Sequence, residues 1–212
     1  MPLPRSFYAR PTLDVARDLL GKVLVHRVHG ATTAGVIVEA EAYVGEADPA
    51  CHAAAGPTRR NRPMYGEPGH AYVYLNYGVH FLFNIVTEPA GHPCAVLIRA
   101  LEPIEGLVTM RGRRAAGGAR DVPDHELCRG PGNLTRAMGI TIRDNMADLC
   151  GDRLFLEDRG LVASEVAWGP RIGITAGADR PWRCYLGGTP SVSGWRAGAR
   201  GGRQRRAPQN RS

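Results

Sequence analysis

Two carboxylates planted in an apolar run are the first residues in this chain that ask for a chemical explanation. Glu39 and Glu41 lie in Val36-Ile37-Val38-Glu39-Ala40-Glu41-Ala42-Tyr43. At a period of two, Val36, Val38, Ala40 and Ala42 face one way, and Ile37, Glu39, Glu41 and Tyr43 the other. Burying an ionised carboxylate costs several kcal/mol unless donors or a wet cleft receive it. On the strand alone two readings stand: a solvated face of an antiparallel sheet, or a face that carries chemistry.

The densest aromatic segment bears on that choice. Ala71 to Asn84 reads as two strands meeting near Asn76-Tyr77-Gly78, with Tyr77 at a hairpin tip. Tyr72 and Tyr74 alternate as a packed sheet face does. Tyr77 differs, because a large ring beside glycine at a turn tip gains little burial unless something docks on it. Aromatic and apolar wedges of this kind enter the DNA minor groove between base steps. A wedge, stacking aromatics, a carboxylate and the arginine cluster Arg59-Arg60-Asn61-Arg62 together form the parts of a protein that flips a base out of a duplex. Other chemistries find little support. Cys51-His52, His70, His80 and His92 lack metal-ligand spacing, so no metal or other cofactor is expected. There is no G-x-S-x-G nucleophile elbow, and the glycines compose neither a P-loop nor a dinucleotide fingerprint.

Ordered motifs then carry a specific resemblance. Glu39-Ala40-Glu41-Ala42-Tyr43, His52, Arg60-Asn61-Arg62, Tyr72-Val73-Tyr74 with Tyr77-Gly78 and Asn84, Arg99-Ala100-Leu101-Glu102-Pro103, Gly130-Pro131, Arg171-Ile172-Gly173-Ile174 and Trp182-Arg183-Cys184-Tyr185 follow one another. Over roughly residues 6 to 193 the chain resembles the alkyladenine (3-methyladenine) DNA glycosylase family. Cys184 departs from that pattern, standing where an aromatic is commoner.

The resemblance implies a role for each matched position. Glu41 activates the water that attacks the anomeric carbon of a flipped nucleotide, and Arg99 and the backbone carbonyl of Ile172 position that water. Tyr43 and His52 sandwich the base, Tyr74 completes the pocket, Asn84 sits near the purine edge and disfavours normal guanine, and Tyr77 fills the gap in the duplex. The implied partner is double-stranded DNA containing alkylated bases, with water as nucleophile and a monomeric enzyme. General chemistry supports the scheme: glycosidic cleavage passes through an oxocarbenium-like state that a nearby carboxylate stabilises while it deprotonates water. An N3- or N7-alkylated purine is already cationic and leaves readily, and electron-rich tyrosine faces favour it. A lyase step needs an amine for a Schiff base; the lone lysine is Lys22, and Pro2 is a formal candidate only after Met1 removal. The alternative is a module on the same scaffold that binds damaged nucleic acid without catalysis.

The elements that must hold these residues are short. A helix is expected from Thr12 or Asp14 to Leu20 with Gly21 as its stop, then a strand from Lys22 to His29, a turn at His29-Gly30, and the carboxylate strand as hairpin partner. A polar stretch leads from Tyr43 to Gly69. Further strands are expected at Cys94–Leu101, Leu154–Glu157, Arg171–Thr175 and Trp182–Leu186, with helices starting at Pro103-Ile104-Glu105 and over Asp124–Cys128 and Leu134–Met138. The sum is a single α+β domain on a curved, mainly antiparallel sheet with short flanking helices and a protruding β-hairpin. At 212 residues and 43 % hydrophobic content the chain can bury one core. The five cysteines never form a C-x-x-C pair, so packed thiols are expected. No apolar run reaches the roughly 20 residues of a membrane span and no secretory signal opens the chain, so a soluble cytoplasmic or nuclear protein is expected. The net charge of +7 is mostly terminal: six of the 27 basic residues lie beyond position 195 with no acid, leaving 21 basic against 20 acidic before it. The catalytic domain is therefore placed at 1–195, followed by an Arg/Gly-rich tail, 196–212, too poor in apolar residues to fold.

Overall fold

The computed structural model describes residues 1–118, 121–161 and 165–194, so the expectation for 196–212 lies outside the described residues. The chain runs α1 (Arg5–Tyr8), α2 (Thr12–Leu19), β1 (Val23–Val28), β2 (Ala31–Val44), β3 (Ala71–Asn76), β4 (His80–Thr87), β5 (Cys94–Glu105), α3 (Leu107–Ala116), α4 (Pro131–Met138), β6 (Leu154–Glu157), β7 (Val166–Gly169) and β8 (Arg183–Leu186), with single 3-10 turns between. It is an α+β domain on a curved antiparallel sheet ordered β3-β4-β5-β2-β1-β6, with the β7–β8 hairpin added through β8 to β2.

β2 is the spine. β5 runs along one edge of it from Ala34↔Glu105 to Val44↔Cys94. The other edge is shared: β1 pairs with Ala31 to Val36, and β8 with Glu39 to Glu41. Where one partner gives way to the other the register against β5 shifts, at Ile37/Glu39 and again at Glu39/Ala40, the first β8-paired step. This irregularity corrects the simple alternation expected from sequence. Ile37 joins Val38, Ala40 and Ala42 in the main core, while Val36 packs with Val23, Val25, Ala34 and Phe155 on a separate cluster. An extra residue in a strand changes the facing of everything beyond it, so Glu39, Glu41 and Tyr43 still share a face but Ile37 does not.

The core fills the helical side of the sheet, with Val15, Ala16 and Leu19 of α2, Met110 of α3 and Leu134, Ala137 and Met138 of α4 against Phe83, Ile85, Val96 and Ile98. The opposite side carries a second cluster: Cys51, Met64, Tyr72, Val86 and Ala95, joined by Tyr43, Tyr65 and Tyr74. That side holds the candidate site residues.

Several sequence expectations are revised. Pro11, not Thr12 or Asp14, occupies the N-cap of α2; the Thr12 hydroxyl instead bonds Glu88 at 2.5 Å, and Gly21 follows the helix at φ +83° as expected. No helix begins at Pro103: β5 continues to Glu105, because Pro103 lies opposite Gly35 at a register shift where a missing N–H is tolerated. α3 starts only after Gly106. The helix expected from Leu134 begins at Pro131, which presets the first helical turn. Arg171–Thr175 is loop, since the Ile172 N–H bonds a side chain and Gly173 adopts φ +77°. A strand the sequence reading omitted, β7, pairs with β8.

Close approach of β2 and β5 makes Gly35 a sensitive point. A Cβ there would stand 2.8 Å from the Leu101 Cβ and 3.1 Å from the Glu102 carbonyl. Gly35→Ala is expected to destabilise the fold by about 1–3 kcal/mol, a fall in Tm of roughly 2–10 °C by calorimetry; an unchanged Tm would show that the two strands are not so tightly apposed.

Candidate active site

The site is built on β2 and reached from its two partner strands. Glu41 is fully buried. Its Oε1 accepts the Ile172 N–H at 2.8 Å and lies 3.2 Å from Arg99 Nη1; its Oε2 accepts the Tyr43 hydroxyl at 2.9 Å. A carboxylate offers about four acceptor sites. Two are filled by hydrogen bonds, Arg99 adds an ion pair on the Oε1 side, and one position on Oε2 remains. Burial, then the negative charge of Glu41, push the Tyr43 phenol above its ordinary value, which keeps it a donor.

Glu39, also fully buried, steadies the other half of the arrangement. It accepts from Arg99 Nε at 3.2 Å, Arg183 Nη1 at 2.9 Å and the Ser193 N–H at 2.8 Å. Two carboxylates and two guanidinium groups thus interleave, with Arg99 bridging both acids. Neither charge is left unpaired in the interior, which removes most of the burial cost.

Above this pair opens a cleft of about 530 Å³ lined by Tyr43, His52, Tyr72, Tyr74, Asn84, Arg99 and Ile172, with Tyr77 at its rim. Glu41 does not itself line the cleft but contacts three residues that do, Tyr43, Arg99 and Ile172. His52 meets Tyr74 edge-on at 4.5 Å between ring centroids, and its Nδ1 is 2.8 Å from the Tyr72 hydroxyl. Burial, then the Arg60 charge, lower the His52 pKa from 6.5, so the ring is neutral at pH 7. Asn84 Nδ2 donates to the Tyr72 carbonyl at 3.0 Å, which fixes the orientation of the amide. Tyr43, His52, Tyr74, Tyr77, Asn84, Arg99 and Ile172 thus line one cleft, and Glu41 is buried behind three of them. Ile172 reaches Glu41 through its N–H, a contact beyond the carbonyl role anticipated for it. Among the described residues no group of three His, Cys, Asp or Glu side chains converges as a metal site, and no helix is long and apolar enough to cross a membrane.

A buried acid under an aromatic cleft fits several enzymes, and comparison with known proteins separates them. The model of the methylpurine-DNA glycosylase family matches residues 6–190. The chain belongs to that family. It is 53 % identical over 195 residues to a protein of Methanocella arvoryzae, covering 90 % of this chain and 95 % of that one. It is 52 % identical over 198 residues to one of Chlorobium phaeobacteroides, covering 92 % and 97 %, and 49 % identical over 197 residues to one of Anaeromyxobacter dehalogenans, covering 91 % and 86 %. All three bear the name "Putative 3-methyladenine DNA glycosylase". Membership makes this chain a DNA glycosylase for alkylated bases, with DNA as its substrate.

In this methylpurine-DNA glycosylase two further residues shape the site that sequence reasoning left without a role. Arg171, buried behind Tyr43, makes a two-pronged pair with Asp48 at 2.5 and 2.8 Å and donates to the Ala42 carbonyl at 3.0 Å. Its guanidinium lies between two rings, 4.8 Å from the Tyr43 centroid and 5.1 Å from that of Trp182. Arg171 thereby backs the Tyr43 wall and places the following residue, Ile172, against Glu41. The 123 residues separating Arg171 from Asp48 hide the pair from any local pattern.

Breaking this pair strands a buried cation. Burial alone would raise the Asp48 pKa, but Arg171 and the N–H groups of Ala50 and Val44 outweigh it and hold the pKa below 3.8. A folded-state pKa below the unfolded one adds stability that is present above pH 3.8 and is lost as pH falls from there through the lower folded-state pKa. Asp48→Asn is expected to cost about 3–5 kcal/mol at pH 7 and to flatten the fall in Tm between pH 5 and pH 3; equal acid sensitivity in variant and wild type by calorimetry would contradict the assignment.

Proposed function

We propose that this enzyme is a monofunctional glycosylase that extrudes 3-methyladenine, 7-methylguanine and, as a harder substrate, hypoxanthine from duplex DNA and hydrolyses the N-glycosidic bond. The observation that carries the reading is Glu41, fully buried against three residues of an aromatic cleft, with two hydrogen bonds and the Arg99 ion pair on its carboxylate and one acceptor position left on Oε2. In this reading water bound to that position loses its proton to Glu41 as it attacks the anomeric carbon, and the same negative charge stabilises the oxocarbenium-like sugar. Arg99 and Ile172 keep Oε1 occupied, so the basic lone pair has one direction. Tyr43 and Tyr74 offer stacking faces to a cationic purine, and neutral His52 adds no repelling charge. The Asn84 amide, held by Tyr72, stands where a guanine amino group would crowd it.

Tyr77 supports extrusion. It adopts φ +49° at the hairpin tip and is 91 % exposed. The left-handed backbone costs a residue with a Cβ about 1–2 kcal/mol, and exposure returns nothing to the fold. A ring presented at that cost suits insertion into the duplex where the base has left. A lyase step lacks an amine: Lys22 pairs with Asp158 at 2.5 Å, the amino terminus with Glu157 at 3.6 Å, and neither lines the cleft. Residues 1–195 carry the activity in this reading, and the Arg-rich 196–212 segment adds only non-specific, salt-sensitive affinity.

Incubation of the wild-type protein with methylated duplex DNA is expected to release free 3-methyladenine and 7-methylguanine, leave abasic sites, and form no covalent adduct under borohydride. Tight binding of the same DNA with no free base released would favour a non-catalytic damage-binding protein, and a trapped adduct would overturn the monofunctional assignment.

A further inference from the structure

The two tyrosine walls of the cleft are not equivalent, because each is backed by an arginine of different standing. Behind Tyr43, the Arg171 charge is matched by the two-pronged Asp48 carboxylate, and the Tyr43 hydroxyl points to a second anion, Glu41. Behind Tyr74, the Arg60 guanidinium lies 5.1 Å from the ring centroid, donates to the Leu75 backbone carbonyl at 3.3 Å and reaches the neutral Tyr72 phenol. Among the described residues it forms no ion pair with a carboxylate. Arg60 does not itself line the cleft, whereas Tyr74 and His52 do. Its charge acts on both of them, and it contributes to the lowered His52 pKa.

A cation on one face of an aromatic ring draws π-electron density toward itself and weakens the negative potential on the other face. A second cation stacked on that other face gains less than it would on an unbacked ring. A neutral base loses almost nothing.

Resting on the reading of this cleft as a base pocket, we propose that Arg60 is a specificity-determining residue: its unpaired charge behind Tyr74 tempers the preference for cationic purines and so keeps neutral lesions within range. The effect is one of ratio. Arg60 sits in a basic loop, and a phosphate contact there would change affinity for every lesion alike, which cancels when two lesions are compared in the same duplex context.

The test is single-turnover release of 7-methylguanine, cationic, and hypoxanthine, neutral, by full-length wild type, Arg60→Gln and Arg60→Lys. Arg60→Gln is expected to raise the ratio of the 7-methylguanine rate to the hypoxanthine rate by about two- to fivefold, the range for an exposed cation over a ring, and the rise should shrink at high salt. Arg60→Lys keeps the charge and should stay within about twofold of wild type. Because the side chain is exposed, neither change threatens folding. A ratio unmoved in Arg60→Gln, or rates that fall in parallel, would overturn the proposal and leave Arg60 as a phosphate contact. Release of neither base by wild type would overturn both the pocket reading and this inference.

Discussion

The structure depends on one constraint: two carboxylates buried on a single strand must each be satisfied by donors brought from elsewhere in the chain. Glu39 and Glu41 are both buried side chains, and an unpaired charge there would cost more than a domain of this size can spare. Arg99 on β5 answers both, Arg183 on β8 and the Ser193 N–H answer Glu39, and the loop after β7 delivers the Ile172 N–H to Glu41. The sheet order follows from the same need. β2 exchanges β1 for β8 where the carboxylates begin, and the register shifts at that exchange, so an irregular strand is the means by which two different edges reach the acids.

Rigidity at this point matters for the proposed chemistry. A carboxylate held by two hydrogen bonds and an ion pair on a fourteen-residue central strand moves little, and the proposed chemistry needs a fixed base beside a fixed stacking wall. Arg171 extends the scaffold outward, since one buried guanidinium links Asp48, the Tyr43 ring and the loop that carries Ile172. The hairpin bearing Tyr77 is the opposite case: it projects from the sheet edge, and its strained tip is free of packing. Firm floor and protruding wedge are different mechanical elements of one face.

Much of this was legible in the sequence. Tyr43, His52, Tyr74, Asn84, Arg99 and Ile172 line one cleft and Glu41 contacts three of them, and residue types tied to chemistry stand out in the sequence against an apolar strand. The strand alternation read correctly for Glu39, Glu41 and Tyr43 and failed for Ile37, since a register shift is dictated by partner strands and leaves no local mark. Pro103 misled for a related reason. A proline after a strand usually ends it, and only the gap opposite Gly35 lets β5 continue. Asp48 and Arg171 were invisible as a pair, being joined across the fold, and the Arg171–Thr175 run looked like a strand because its apolar pattern serves a loop whose N–H is committed to Glu41.

The central claim is that the Glu41 carboxylate is the base and that its neighbours only orient it. It is tested most directly by single-turnover excision of 7-methylguanine with Glu41→Gln, measured beside its affinity for the same DNA. Glutamine keeps the shape and an acceptor for the Ile172 N–H but cannot take a proton from water. The account predicts that lesion binding stays within a few-fold of wild type while excision falls by about 10²-fold or more. Excision at a rate near that of wild type would contradict it.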